Sequence, residues 1–169
     1  KLLGGPLKPF LAAMEKFQPL AGRGEIRAVD FAGKTLTIVD ESYNANPVSM
    51  RAAIATFGAM PTAGRRILIL GDMLELGPDA SRYHQELAPQ IRAVAPETVL
   101  LCGDLMEHLW NELKTGIRPA STSAYYRNAM SLLEDIDRHL QPGDTILLKA
   151  SNSIGFGKIL NHLSKAGAV

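Results

Sequence analysis

The chain has 169 residues, 46% hydrophobic and 21% charged, with a formal net charge of +1. That length supports one domain with a substantial core and is short for two. The balanced charge gives no electrostatic case for a nucleic acid or an anionic membrane partner. No apolar run approaches the roughly 20 residues a spanning helix needs.

Lys1-Leu2 is not a natural beginning and no signal peptide is visible, so the chain reads as a fragment. Gly4-Gly5-Pro6 breaks regular structure, residues 9–17 predict a short helix, and 19–24 read as a linker. Strands are expected over 25–30 and 35–40, joined by a short turn at 31–34, which predicts a hairpin. A helix is predicted over 47–60, with Asn46 as cap and Pro47 at its first position.

Further strands are expected over 66–71, 98–102 and 145–149, with a weak one near 120–124. Ile67 to Leu70 and Ile146 to Leu148 are continuous apolar runs, as in strands covered on both faces. Helices are expected over 80–95, 105–113, 125–140 and 157–166. The alternation predicts an α/β fold: a Rossmann-like, doubly wound sheet of about six mostly parallel strands, one antiparallel edge strand, and helices on both faces.

Three loops then fall at carboxyl ends of strands, where open α/β sheets bind ligands. The first is Asp40-Glu41-Ser42-Tyr43-Asn44-Ala45-Asn46. Its carboxylate and amides suit a ribose hydroxyl, beside a helix start that favours anions. On local evidence alone, the simpler reading is a polar, solvated loop with an Asn cap. In the second, Gly71-Asp72-Met73-Leu74-Glu75-Leu76-Gly77, Asp72 and Glu75 could face a substrate ammonium, or Asp72 could merely cap a turn. The third is Lys149-Ala150-Ser151-Asn152-Ser153. It offers a cation, hydroxyls and an amide to a carboxylate or phosphate. The bland alternative is a snorkelling lysine with serine caps. Arg23, between Gly22 and Gly24, could add a cation to the same edge.

Other chemistries lack support. No P-loop sequence is present, and no G-x-G-x-x-G follows the first strand. His84, His108, His139 and His162 lack ligand spacing, so no zinc site is expected, and no catalytic residue is nominated. Cys102, the single cysteine, excludes an internal disulfide and fits a reducing, cytoplasmic setting as a buried small hydrophobe.

The segments Gly22-Arg23-Gly24-Glu25, Asp40-x-x-Tyr43-Asn44-Ala45-Asn46-Pro47 and Gly71-Asp72-Met73-Leu74-Glu75-Leu76-Gly77 resemble the Mur ligases. They look most like the branch that joins D-alanyl-D-alanine to UDP-N-acetylmuramoyl-tripeptide in peptidoglycan precursor synthesis. Lys149–Ser153 is similar to that family's late Lys-Gly-Ser-Arg-Ser-type loop and departs from it at Ala150 and Asn152. The resemblance implies three domains, with the P-loop in the central one, and makes residues 23–169 the C-terminal domain. Residues 1–22 would be the tail of the central domain and a linker.

It further implies that Arg23, Asp40, Tyr43, Asn44 and Asn46 serve the nucleotide. Asp72, Glu75, Lys149, Ser151, Asn152 and Ser153 would serve the dipeptide. ATP and Mg2+ belong to the full-length enzyme; this fragment alone is expected to bind neither and to be inactive. Its partners would be the two substrates and its own other domains, with no nucleic acid or membrane. Two alternatives stay open: a stand-alone, non-catalytic α/β ligand-binding domain, and the C-terminal domain of another Mur-type or folylpolyglutamate-type ligase.

Overall fold

A computed structural model describes residues 22–114 and 122–165. The helix expected over 9–17 lies outside them, as does the start of the strand expected near 120–124. Strand β1 (Glu25–Phe31) and strand β2 (Lys34–Glu41) form the expected antiparallel hairpin. Its two-residue turn has Ala32 at φ 50° and Gly33 at φ 73°. Two positive φ angles give the primed turn whose twist matches the flanking strands.

Helix α1 (Pro47–Ala59) follows. Asn46 Oδ1 accepts from Ser49 N and Ser49 Oγ accepts from Asn46 N, a reciprocal capping box with proline at the first position. Next come β3 (Arg66–Gly71), α2 (Ala80–Gln85), α3 (Ala88–Val94), β4 (Thr98–Cys102), α4 (Met106–Leu113), β5 (Thr122–Tyr126), α5 (Ala129–Asp135), β6 (Thr145–Lys149) and α6 (Phe156–Lys165).

Two expectations are corrected. The single helix predicted over 80–95 is two helices, α2 and α3, because Pro89 has no N–H to offer Gln85 and its ring crowds that carbonyl. The helix predicted from residue 125 begins only at Ala129. Tyr125 and Tyr126 complete β5, paired with Leu101 and Cys102, and Asn128 Oδ1 then accepts from Met130 N and Ser131 N as the cap.

The sheet order is β1-β2-β6-β3-β4-β5, with every pair after the hairpin parallel. Side chains alternate across it. Ile67, Ile69, Ile146 and Leu148 pack with Leu132, Ile136, Ile159 and Leu163 of the chain beyond β5 and β6. Leu68, Leu70 and Leu147 pack on the other face with Met50, Ile54, Phe57, Ile91 and Leu109. The helices after β2, β3 and β4 therefore cover one face, and those after β5 and β6 the other. Strand β6 sits between β2 and β3, and its following helix leaves on the opposite side from theirs. That divergence opens a crevice on either flank of the β6 carboxyl end, a topological switch point.

Candidate functional site

The loop after β2 crosses the first crevice. Asp40 is 1% exposed, and its Oδ1 accepts from Ser42 N at 3.0 Å and Ser42 Oγ at 2.6 Å. Tyr43 N donates to Gly22 O at 3.1 Å, which brings Arg23 over the Tyr43 ring, 4.3 Å from its centroid. Such stacking holds a guanidinium over an aromatic face while leaving its edge free. Lys149 is 1% exposed, and its Nζ donates to Glu41 Oε2 at 3.2 Å and to Asn44 O at 3.0 Å. A cavity of about 160 Å³ opens here, lined by Gly22, Arg23, Glu41, Asn44, Ser49 and Lys149.

The loop after β3 is fixed from three sides. Asp72 N donates to Cys102 O at 3.2 Å, Met73 N to His84 Nε2 at 3.0 Å, and Leu74 N to Ser151 Oγ at 3.0 Å. The Asp72 carboxylate, 4% exposed, accepts from Leu105 N at 3.2 Å and Met106 N at 2.8 Å. It thus satisfies the first amides of α4 and complements the positive end of that helix. Burial still holds its pKa above the usual carboxylate value, against those backbone bonds.

Gly71 lets the chain pass close beneath this loop. A Cβ there would lie 2.8 Å from Ala150 Cβ and 2.9 Å from Phe156 Cζ. Glu75 follows at φ 62°, a left-handed conformation that costs a non-glycine residue about 1 kcal/mol.

The loop after β6 closes the second crevice. Ser151 N donates to Asp72 O at 3.0 Å, and residues Asn152–Ile154 make one 3₁₀ turn before α6. The larger cavity, about 340 Å³, is lined by Tyr43, Asn44, Leu74, Glu75, Ser151, Asn152 and Ser153. All three predicted loops thus contribute to one edge, and Asn44 lines both cavities.

A family model described as Mur ligase, glutamate ligase domain matches residues 22–152. The chain belongs to the Mur ligase family. It is similar to the UDP-N-acetylmuramoyl-tripeptide–D-alanyl-D-alanine ligase of Bacillus subtilis, 31% identical over 128 residues, or 76% of this chain and 28% of that protein. Similarity to the Escherichia coli K12 ligase of the same name is 28% over 165 residues, 98% of this chain and 34% of that protein. Among solved structures, MurF from Acinetobacter baumannii superposes with a TM-score of 0.76 at 20% identity, over 96% of this chain and 35% of that one. MurF ligase from Thermotoga maritima in complex with ADP gives 0.68 at 21%, over 89% and 32%. These structures share the fold. The chain thus spans about 28% of the length of the Bacillus subtilis relative and corresponds to the C-terminal domain of a MurF-type Mur ligase.

Within this Mur ligase domain, the nominated residues sort differently from the sequence expectation. Arg23, Asn44 and Lys149 meet at the smaller cavity, while Tyr43, Asn44, Glu75, Ser151, Asn152 and Ser153 meet at the larger. Tyr43, nominated for the nucleotide, therefore lines the second cavity, and Lys149, nominated for the dipeptide, lies with Arg23. Lys149 already has a counter-charge in Glu41, its register partner across β2 and β6. Four further nominated side chains are already engaged: Asp40 by Ser42, Asn46 by the α1 cap, Asp72 by the start of α4, and Ser151 by Leu74 N.

Glu41, Ser49, Leu74 and His84 were not nominated. Glu41 sits inside the motif that drew attention, and its pairing follows once β2 and β6 are known to be neighbours. His84, fully buried, carries no local sequence signal at all.

Proposed function

We propose that this domain is the C-terminal part of an ATP-dependent amide ligase joining D-alanyl-D-alanine to UDP-N-acetylmuramoyl-tripeptide in peptidoglycan precursor synthesis. The observation that carries the reading is the convergence of the three motif loops on two adjacent cavities that share Asn44. The smaller cavity, with Arg23 and Lys149, takes the nucleotide side. Arg23 leaves its stacked position over Tyr43 toward phosphate or ribose when the domains close. Asp40 and Asn46 act through the loop they hold, with Asp40 reaching a ribose hydroxyl only if Ser42 releases it.

The larger cavity takes the dipeptide. Glu75 attracts the ammonium, and Ser153 with Asn152 meets the carboxylate through a hydroxyl and an amide. Ser151 and Asp72 keep the wall in place. In this reaction the tripeptide carboxylate takes the γ-phosphoryl group of ATP with release of ADP. The dipeptide amine, once its ammonium has given up a proton, attacks the carbonyl carbon of the acyl phosphate, and the tetrahedral intermediate expels phosphate. The domain's contribution is to bind and orient the amine, which lowers the entropic part of the barrier.

Among the described residues, no group of three His, Cys, Asp or Glu side chains is placed to hold a metal ion. A magnesium ion that accompanies a nucleotide needs only one or two carboxylates beside the phosphates, and we assign Mg2+ to the phosphates and the rest of the enzyme. Residues 1–22 are read as the tail of the central domain and a linker, and the enzyme as cytoplasmic. The test is ligation by the full-length protein, with D-alanyl-D-alanine compared against glutamate and a diamino acid as the amine. A single preference for D-alanyl-D-alanine supports the assignment, and preference for either other amine refutes it.

A further inference from the structure

The backbone from Asp72 to Leu74 is gripped at three consecutive amides, and only the middle one is held by a side chain from a helix. Met73 N donates to His84 Nε2 at 3.0 Å. His84 Nδ1 lies 2.7 Å from Ala80 O. A carbonyl oxygen can only accept, so Nδ1 carries the proton, and Nε2 must offer its lone pair to Met73. The two bonds together specify one tautomer of a neutral ring.

A second proton on Nε2 would set N–H against N–H and release Met73. Burial opposes that proton, and the ring's pKa is lowered. Among the described residues two titratable groups act on it: Asp72 from the β3 loop favours the charged ring, and His108 from α4 disfavours it.

The next residues need this hold. Leu74 and Glu75 form part of the wall of the larger cavity, and Glu75 keeps a positive φ that persists only where neighbours over-determine it. We infer that His84 is a positioning residue: as a neutral, Nδ1-protonated ring it clamps the Met73 amide and thereby fixes Leu74 and Glu75 in the wall of that cavity. Ser151 is the second arm of the clamp, through Leu74 N. The kinetic consequence rests on the dipeptide reading of the cavity; the tautomer does not.

The test uses the full-length protein. With 15N-labelled histidine, one ring is expected in the Nδ1–H tautomer, unmoved between about pH 6 and 8, and lost in His84→Gln. Steady-state kinetics then compare two variants. His84→Leu removes the acceptor and is expected to raise the KM for D-alanyl-D-alanine about tenfold, with the KM for ATP changed less than about twofold. His84→Gln offers Oε1 where Nε2 stood and is expected to keep the dipeptide KM within about threefold of wild type.

Equal impairment of the two variants, an unchanged dipeptide KM in His84→Leu, or an Nε2–H tautomer would overturn the inference. If His84→Leu does not fold, the glutamine variant and the tautomer decide it. A wild-type enzyme that uses a different amine defeats the functional reading, while the ring's tautomer still decides the clamp.

Discussion

Lys149 and Glu41 are register partners across β2 and β6, and they form an ion pair of 3.2 Å in which the lysine side chain is 1% exposed and the glutamate 32%. The asymmetry matters. Removing Glu41 strands a buried ammonium, whereas removing Lys149 leaves a carboxylate that water can reach. Glu41→Leu is expected to cost about 3 kcal/mol and Lys149→Met about 1 kcal/mol in urea denaturation. Equal costs would show that the lysine has another counter-charge.

Gly71 is where the β3 loop passes Ala150 and Phe156. Gly71→Ala would place a Cβ within 2.9 Å of both side chains, so the two loops must separate. Overpacking of this kind costs about 2 kcal/mol, or roughly 6 °C in Tm for a domain of this size. An unchanged Tm would mean that the β3 and β6 loops are not packed as described.

Acidification should destabilise the fold through its buried histidines. Burial lowers the pKa of His84 and of His139 below the ordinary 6.5, with Arg138 and Arg65 adding to the effect at His139. Below 6.5 the unfolded chain then binds more protons than the folded one, so stability falls as pH falls, until the depressed folded values are passed. Asp72 has the opposite sign: its raised pKa lets the folded state gain stability as pH drops toward 3.8. His84→Gln removes one titrating ring, so its loss of stability between about pH 7 and 5 should be shallower than wild type. Parallel curves would show that His84 keeps an ordinary pKa.

Cys102 should behave as a core residue. It is fully buried, and its thiol is pushed up to about 12 by burial, with the Asp72 charge adding to it. Only the thiolate attacks a disulfide reagent, so the native protein is expected to react at the rate of global unfolding. Prompt labelling in the absence of denaturant would contradict this.

Legibility in the sequence followed the range of the interactions. Strands β3, β4 and β6 are continuous apolar runs set between breakers, and their limits could be read to the residue. Asn46 and Pro47 announce the start of α1 in the same local way. The start of α5 is hidden in the sequence because two tyrosines continue β5 and Asn128 supplies the cap only afterwards, whereas the break between α2 and α3 has a visible signal in Pro89. At the site, the three loops could be placed on one edge from the βα pattern. The partners of Lys149, Asp72 and His84 could not, because each bond joins elements that only the strand order brings together.

The proposed function rests on one reading, that this edge presents a dipeptide amine for amide formation. It is tested most directly by ATP-dependent ligation in the full-length protein, wild type against Glu75→Gln, with D-alanyl-D-alanine, glutamate and a diamino acid as competing amines. The prediction is a single product with D-alanyl-D-alanine and a dipeptide KM raised about tenfold in Glu75→Gln. Product formed with either of the other amines, or a dipeptide KM indifferent to Glu75, would contradict it.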